Sequence, residues 1–140
     1  MSLFTGQLTI TQVDINWRLW WIEQPLVYEV GAKGSGKTIA VPKGFLTDGA
    51  SIPQFLWSML PTWGAYSRAA VIHDYLYRCI GEGRPHSLAT TRKAADDIFL
   101  EAMAVCGVTI GVRNTIYTAV RTFGSIDYDK PVINDINQKD

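Results

Sequence analysis

Residues 26–41 have the sequence LVYEVGAKGSGKTIAV, in which two short β-forming runs flank a glycine-rich segment. The runs Leu26–Val30 and Thr38–Val41 are rich in β-branched and aromatic residues. This pattern is typical of two antiparallel strands joined by a hairpin loop. Two earlier runs, Gln7–Val13 and Trp17–Ile22, also have strand character. The first third of the chain therefore predicts a small, mostly antiparallel sheet.

The segment from Gly31 to Thr38 also matches GxxxxGKT, the pattern of a phosphate-binding loop. In a true phosphate loop the lysine and threonine begin a long helix whose N-terminus faces the phosphates. Here the run Ile-Ala-Val follows Thr38, and Pro42 would break the first turns of any helix. The sequence therefore predicts a glycine-rich hairpin loop and no nucleotide cofactor.

The remainder of the chain has helical patterns. Ser51 and Gln54 have the spacing of a capping box, and Pro53 lies in the predicted first turn. These residues predict a short helix that ends near Leu60. Three longer helices follow, each with a glycine after it, over about residues 65–80, 90–106 and 110–123.

Strands followed by helices indicate an α+β fold, with a small N-terminal antiparallel β-sheet packed against about four C-terminal helices. The length of 140 residues suits a single domain. We expect this globular domain to span residues 1–124. The residues from 125 to 140 are polar and are predicted to form an extended C-terminal tail.

The balance of charges indicates which partners the protein has. Lysine and arginine together number 13, as do aspartate and glutamate, so the formal net charge is zero. This balance argues against nucleic acid as a partner, because phosphate contacts need a basic surplus. It also gives little repulsion between chains, which favours self-association or assembly with other proteins.

Hydropathy and the N-terminus predict where the protein is made. No apolar run approaches the roughly 20 residues that span a bilayer, so we expect no membrane span. The first residues, Met1–Thr5, lack the basic start and apolar core of a signal peptide. We therefore expect synthesis in the cytoplasm.

Two adjacent residues of the second predicted helix, His73 and Asp74, are candidate functional groups. His73 shares a helix face with apolar residues such as Leu76 and Tyr77, so it is expected to point into the interior. A core histidine that donates to one backbone carbonyl explains this position as well as a functional site does. Asp74 lies about 100° away around the helix and can pair with Arg78 one turn later.

Asp96 on the third predicted helix is expected to be buried, whereas its neighbour Asp97 lines up with Lys93 on the polar face. A buried carboxylate needs a partner, because an unpaired charge in the core is costly. The partners open to Asp96 are Arg92, His73 and a cation.

Asp48 lies in a tight loop before the capped helix, where it is either a turn residue that bonds to backbone amides or part of a site. One arrangement satisfies Asp48, His73, Asp74 and Asp96 together, with the loop and two helices converging. The four side chains are then candidate ligands of a divalent metal ion that activates water. Alternatively, Asp48 or Asp96 orients His73 as a general base, which makes these three the catalytic candidates. A purely structural network satisfies every group as well.

Three blocks of this sequence resemble the signatures of a known family. Residues 41–53, VPKGFLTDGASIP, resemble its VPxGFxTDGASIP block, and residues 69–77, AAVIHDYLY, resemble its AAxxHDYLY block. Residues 92–103 resemble its RxxADxxFxxAM block. The family consists of short phage and prophage proteins classed as a domain of unknown function. The resemblance covers about residues 25–120, implies a phage origin and supports grouping the four candidate residues, but it implies no reaction.

Three functions follow as hypotheses. The first is a virion component of the tail or baseplate, whose partners are other phage structural proteins or further copies of the chain. Such a protein is made in the host cytoplasm and then enters the virion. The alternative is a metal-dependent hydrolase that acts on the host cell envelope. The third is a non-enzymatic binder of a host factor.

Overall fold

The computed structural model describes residues 4–5, 8, 10–14, 19–47 and 66–128. Within these residues the chain forms six strands and then three helices. The strands are β1 (Phe4–Thr5), β2 (Ile10–Asp14), β3 (Leu19–Ile22), β4 (Leu26–Glu29), β5 (Thr38–Val41) and β6 (Leu46–Thr47). The helices are α1 (Ser67–Gly81), α2 (Arg92–Val105) and α3 (Ile110–Tyr128). The α+β class and the strands-then-helices order are confirmed.

The strands form two small antiparallel sheets, whereas the sequence predicted one. The first sheet has the order β1-β4-β5 and the second has the order β2-β3-β6. Phe4 of β1 lies opposite Tyr28, and Thr47 of β6 lies opposite Trp20. Both pairings join strands that are distant in sequence, and periodicity within a strand does not specify such partners.

The hairpin predicted over residues 26–41 is confirmed. Strands β4 and β5 pair from Leu26 opposite Val41 to Glu29 opposite Thr38. Three glycines of the connecting loop, Gly31, Gly34 and Gly36, have positive φ angles. The chain after Thr38 is a strand and not a helix, so the loop lacks the following helix of a phosphate-binding loop.

The turn over residues 42–45 directs the chain from the first sheet to the second. The amide of Phe45 donates to the carbonyl of Pro42 at 3.2 Å, and Gly44 has a φ of 89°. A positive φ at the third position of a turn strongly favours glycine. A Cβ atom at Gly44 would also lie 3.3 Å from the ring of Trp21. Glycine therefore allows both the turn and the approach of the tryptophan.

The three helices pack on one another, and α1 also lies against β5 and β6. The starts and ends of α1 and α2 agree with the predicted bounds to within two residues. Helix α3 continues past Gly124 to Tyr128, so the prediction of an extended chain from residue 125 is wrong for the first four residues of that tail. An internal glycine costs only about 1 kcal/mol relative to alanine and does not by itself end a helix.

The predicted short helix from Ser51 to Leu60 lies outside the described residues, as do residues 129–140. The expected number of about four helices is therefore three in the part of the chain that the structure describes. Among these residues, no helix is long and apolar enough to cross a membrane.

One hydrophobic core joins the strands to the helices. Tyr28 and Ile39 from the first sheet, Ile72 from α1 and Phe99 and Met103 from α2 are all fully buried in it. The two polar residues with the strongest sequence signal, His73 and Asp96, lie inside this same core without exposed surface.

Candidate functional site

His73 projects from α1 into the core between two aromatic rings. Its imidazole stacks on Phe99 with ring centroids 4.3 Å apart and an interplanar angle of 19°. The ring of Tyr77, one helical turn later, lies 4.2 Å away at a tilt of 47°. The prediction that His73 points into the interior is confirmed.

Asp96 of α2 is the partner of His73. The Nε2 atom of His73 lies 2.7 Å from one carboxylate oxygen, and the hydroxyl of Tyr77 donates to that same oxygen. The other oxygen accepts from Arg121 at 2.7 Å, and Arg92 is 3.9 Å from it. An ionised carboxylate only accepts hydrogen bonds. Nε2 of His73 therefore carries a proton, which it donates to Asp96.

These donors keep Asp96 ionised although it is buried. Burial alone would raise the pKa of Asp96, because it disfavours the charged form. The hydrogen bond and charge of His73, followed by the hydrogen bonds from Tyr77 and Arg121, outweigh burial and lower the pKa below its ordinary value. Burial, followed by the hydrogen bond to Asp96, raises the pKa of Tyr77. The tyrosine is therefore a neutral donor at physiological pH.

The carboxylate of Asp96 joins all three helices. His73 belongs to α1, Asp96 to α2 and Arg121 to α3. Arg92 adds a second link between α2 and α3, because its guanidinium donates to the backbone carbonyls of Val120 and Arg121 at 3.0 and 3.4 Å. We call His73, Tyr77, Asp96 and Arg121 the helix junction. Its geometry is that of a satisfied buried network, which fixes how helices pack.

Asp74 lies at the boundary between α1 and β6. Its side chain is almost fully buried and accepts a hydrogen bond of 2.6 Å from the hydroxyl of Thr47, which is itself fully buried. Arg78, the partner considered for Asp74 from helix spacing, donates to the carbonyl of Leu46 at 3.3 Å. Asp74 therefore connects helix α1 to the end of the second sheet.

Of the four candidate site residues, the structure brings His73 and Asp96 into direct contact and places Asp74 against Thr47. Asp48 lies outside the described residues. Within those residues, no group of three or more His, Cys, Asp or Glu side chains is arranged to hold a metal ion. The Nε2 proton of His73 and both oxygens of Asp96 already serve other protein groups. Metal ligation by these atoms would require the helix junction to open.

Asp97 contrasts with Asp96 as its helix position predicts. Its carboxylate is about half exposed, with a hydrogen bond of 2.8 Å from Lys93 and one of 2.5 Å from the hydroxyl of Tyr117. The pairing of Asp97 with Lys93 on the polar face of α2 is thus confirmed.

Three residues that form these hydrogen bonds were not predicted from the sequence as part of a site. Tyr77 is one turn after His73, and that spacing was sufficient to predict a shared environment. Thr47 precedes Asp48 directly, but its contact with Asp74 depends on how β6 meets α1. Arg121 is 25 residues from Asp96 and carried no signal, because its reach depends on the packing of α3 on α2.

Comparison with known proteins places the chain in a family. A family model described as "Protein of unknown function (DUF1353)" matches residues 20–120. The chain is also similar to the uncharacterized protein y4jT of Sinorhizobium fredii (strain NBRC 101917 / NGR234), with 35% identity over 105 residues. That match covers 71% of this chain and 28% of the relative, so the chain corresponds to less than a third of the relative's length. No solved structure matches the chain. Since the family model matches well over half of its residues, this protein belongs to the DUF1353 family of proteins of unknown function.

Proposed function

We propose that this protein is a non-catalytic structural component of a phage particle, in the tail or the baseplate. The observation that carries the proposal is the helix junction, in which a buried carboxylate of α2 accepts hydrogen bonds from side chains of both other described helices. Such an arrangement serves packing, since a catalytic base needs access to a substrate. In this proposal His73 and Asp96, the strongest site candidates in the sequence, stabilise the domain and do not take part in a reaction.

The phage assignment rests on the three sequence blocks that resemble phage and prophage proteins, with a balanced charge as further support. Thirteen basic and thirteen acidic residues give little electrostatic repulsion between copies or neighbouring proteins. The chain is made in the host cytoplasm in this proposal, and it reaches the virion by assembling with other phage structural proteins or with itself.

Particle composition tests this proposal. Particles from the phage or prophage that encodes the chain are purified through a density gradient, and their proteins are quantified by mass spectrometry. We expect the chain at a fixed ratio to the major capsid protein across gradient fractions. A soluble host enzyme from the same lysate is the control for proteins that are carried nonspecifically into the particle fractions. Recovery of the chain only in fractions without particles would reject the virion assignment.

A second candidate, a metal-dependent hydrolase of the host cell envelope, is favoured by the contact between Asp74 and Thr47. Thr47 directly precedes Asp48 in the chain, so Asp74 touches the residue next to a second carboxylate. Oxygen ligands of this kind suit hard divalent cations such as Mg²⁺ or Mn²⁺. In this version Asp48 and Asp74 hold the metal, which activates water, while His73 and Asp96 remain structural.

Hydrolysis of purified host peptidoglycan with added Mg²⁺, Mn²⁺ or Zn²⁺ tests the second candidate. Release of soluble fragments by the wild type, its loss in Asp74→Asn and its retention in Asp97→Asn would support it. Circular dichroism verifies that both variants remain folded. A wild type that releases no fragments with any of the three ions rejects the hydrolase. Specific capture of one protein from uninfected host lysate would instead favour the host-factor binder.

A further inference from the structure

The glycine-rich loop between β4 and β5 binds carboxylates through its backbone. The amide of Gly31 donates to the side chain of Glu101 in α2 at 2.8 Å, and the amide of Gly34 donates to Glu29 at 2.9 Å. Glu101 also accepts from the hydroxyl of Tyr28, which is buried in the first sheet. One glutamate of α2 thus holds both a strand and its loop.

Backbone amides in glycine-rich turns are the groups with which phosphate-binding loops hold an oxyanion. Gly31 and Gly34 both have positive φ values, and the amide of each donates to a carboxylate oxygen. Lys33 and Lys37 lie exposed on the same loop, and neither forms an ion pair with a carboxylate among the described residues. The loop has the donors and positive charges of an oxyanion site, although it lacks the helix that would follow in a nucleotide-binding protein.

We infer that loop 31–37 is an oxyanion site that the protein fills with its own Glu29 and Glu101 carboxylates. The Glu101 carboxylate holds the hairpin against α2, and the two carboxylates together close the loop to phosphate from solution. Glu101 is therefore a positioning residue of the hairpin, and Glu29 occupies the amide that an external anion would use.

The effect of Glu101 is measured by amide hydrogen exchange at Gly31. In Glu101→Ala we expect this exchange to accelerate roughly two- to tenfold, the change that accompanies loss of one hydrogen bond. Glu101→Gln keeps an oxygen acceptor at the same position and should preserve most of the protection. Asp97→Ala, one turn earlier on the same helix, is the matched control and should leave Gly31 unchanged. Equal exchange at Gly31 in wild type and Glu101→Ala would overturn the positioning role.

The oxyanion site itself is tested with inorganic phosphate in Glu29→Ala, which frees the amide of Gly34 while Glu101 still holds the hairpin. Amide resonances are followed by NMR during titration with potassium phosphate, against potassium chloride at equal ionic strength. We expect a saturable shift of the Gly34 resonance in Glu29→Ala and none in wild type. Adding Lys33→Ala and Lys37→Ala to this variant should weaken the response. A Gly34 resonance that responds to phosphate alike in wild type and Glu29→Ala would overturn the inference.

Discussion

At the scale of single residues, the helix junction shows how a rotation of about 100° around α2 gives two neighbouring aspartates different surroundings. Asp96 is fully buried among His73, Tyr77 and Arg121, whereas Asp97 lies at the surface beside Lys93. The apolar spacing of α2 was sufficient to predict this difference. The hydroxyl of Tyr77 and the guanidinium of Arg121 were not predicted, since each depends on side-chain reach across a helix interface.

Replacing Asp96 with alanine should lower the free energy of unfolding by about 2–4 kcal/mol, because it leaves buried donors and the charge of Arg121 without their acceptor. Asp97→Ala should cost about 1 kcal/mol or less, since its partners are largely exposed. Urea unfolding of both variants measures the contrast. Equal, small losses in the two variants would contradict the role of the helix junction.

The pH dependence of stability provides a second measurement on Asp96. Its pKa in the folded protein is below the ordinary value of 3.8, so its contribution is fully present above that value. The contribution is lost as the pH falls through the folded-state pKa. The stability difference between wild type and Asp96→Asn should therefore shrink when unfolding is followed from neutral pH down to about pH 3. A constant difference over this range would mean that ionised Asp96 does not stabilise the fold.

At the scale of elements, the β4–β5 hairpin and the two long helices before α3 were predictable because local patterns determine them. Alternating β-forming runs around glycines specify the hairpin, and apolar spacing specifies α1 and α2. The end of α3 was not predictable from Gly124, because a helix tolerates one glycine. The division of the strands into two sheets depends on the pairing of β1 with β4 and of β6 with β3.

The turn before β6 gives a prediction at this scale. Gly44→Ala introduces a residue with a Cβ atom at a φ of 89° and 3.3 Å from Trp21, so it should cost more stability than Gly36→Ala. Gly36 has a φ of 76° with no atom within 4 Å of the added group, and its substitution isolates the backbone cost of about 1–2 kcal/mol. Thermal unfolding of both variants measures the difference. An equal loss of stability in the two variants would show that the ring of Trp21 moves away from the added Cβ atom without strain.

The hairpin loop gives another prediction. Neither ATP nor GTP should bind through Lys37, because β5 takes the place of the helix that would face the phosphates. Isothermal titration calorimetry of wild type and Lys37→Ala measures this. Micromolar affinity in the wild type that disappears in Lys37→Ala would contradict the prediction.

At the scale of the whole molecule, chelation separates a metal centre from a structural network. If His73 and Asp96 are purely structural, EDTA should leave the unfolding midpoint of wild type unchanged, while His73→Ala remains destabilised with or without it. If a metal is bound at these residues, EDTA should lower the midpoint of wild type but not that of His73→Ala. Differential scanning calorimetry of the two proteins distinguishes these outcomes.

The interleaved order of the two sheets has a consequence for a chain that emerges from the ribosome. The β2–β3 pair lies between β1 and β4 in sequence, and the β4–β5 pair lies between β3 and β6. The first sheet is complete only after Val41 has left the exit tunnel and the second only after Thr47 has, and Glu101 contacts the hairpin only once α2 has been synthesised. Because these long-range closures come late, hairpins form first and their assembly into a core is delayed. During synthesis the nascent strands therefore have unpaired edges, and a chain stalled before residue 101 would have a hairpin that Glu101 does not yet hold against α2.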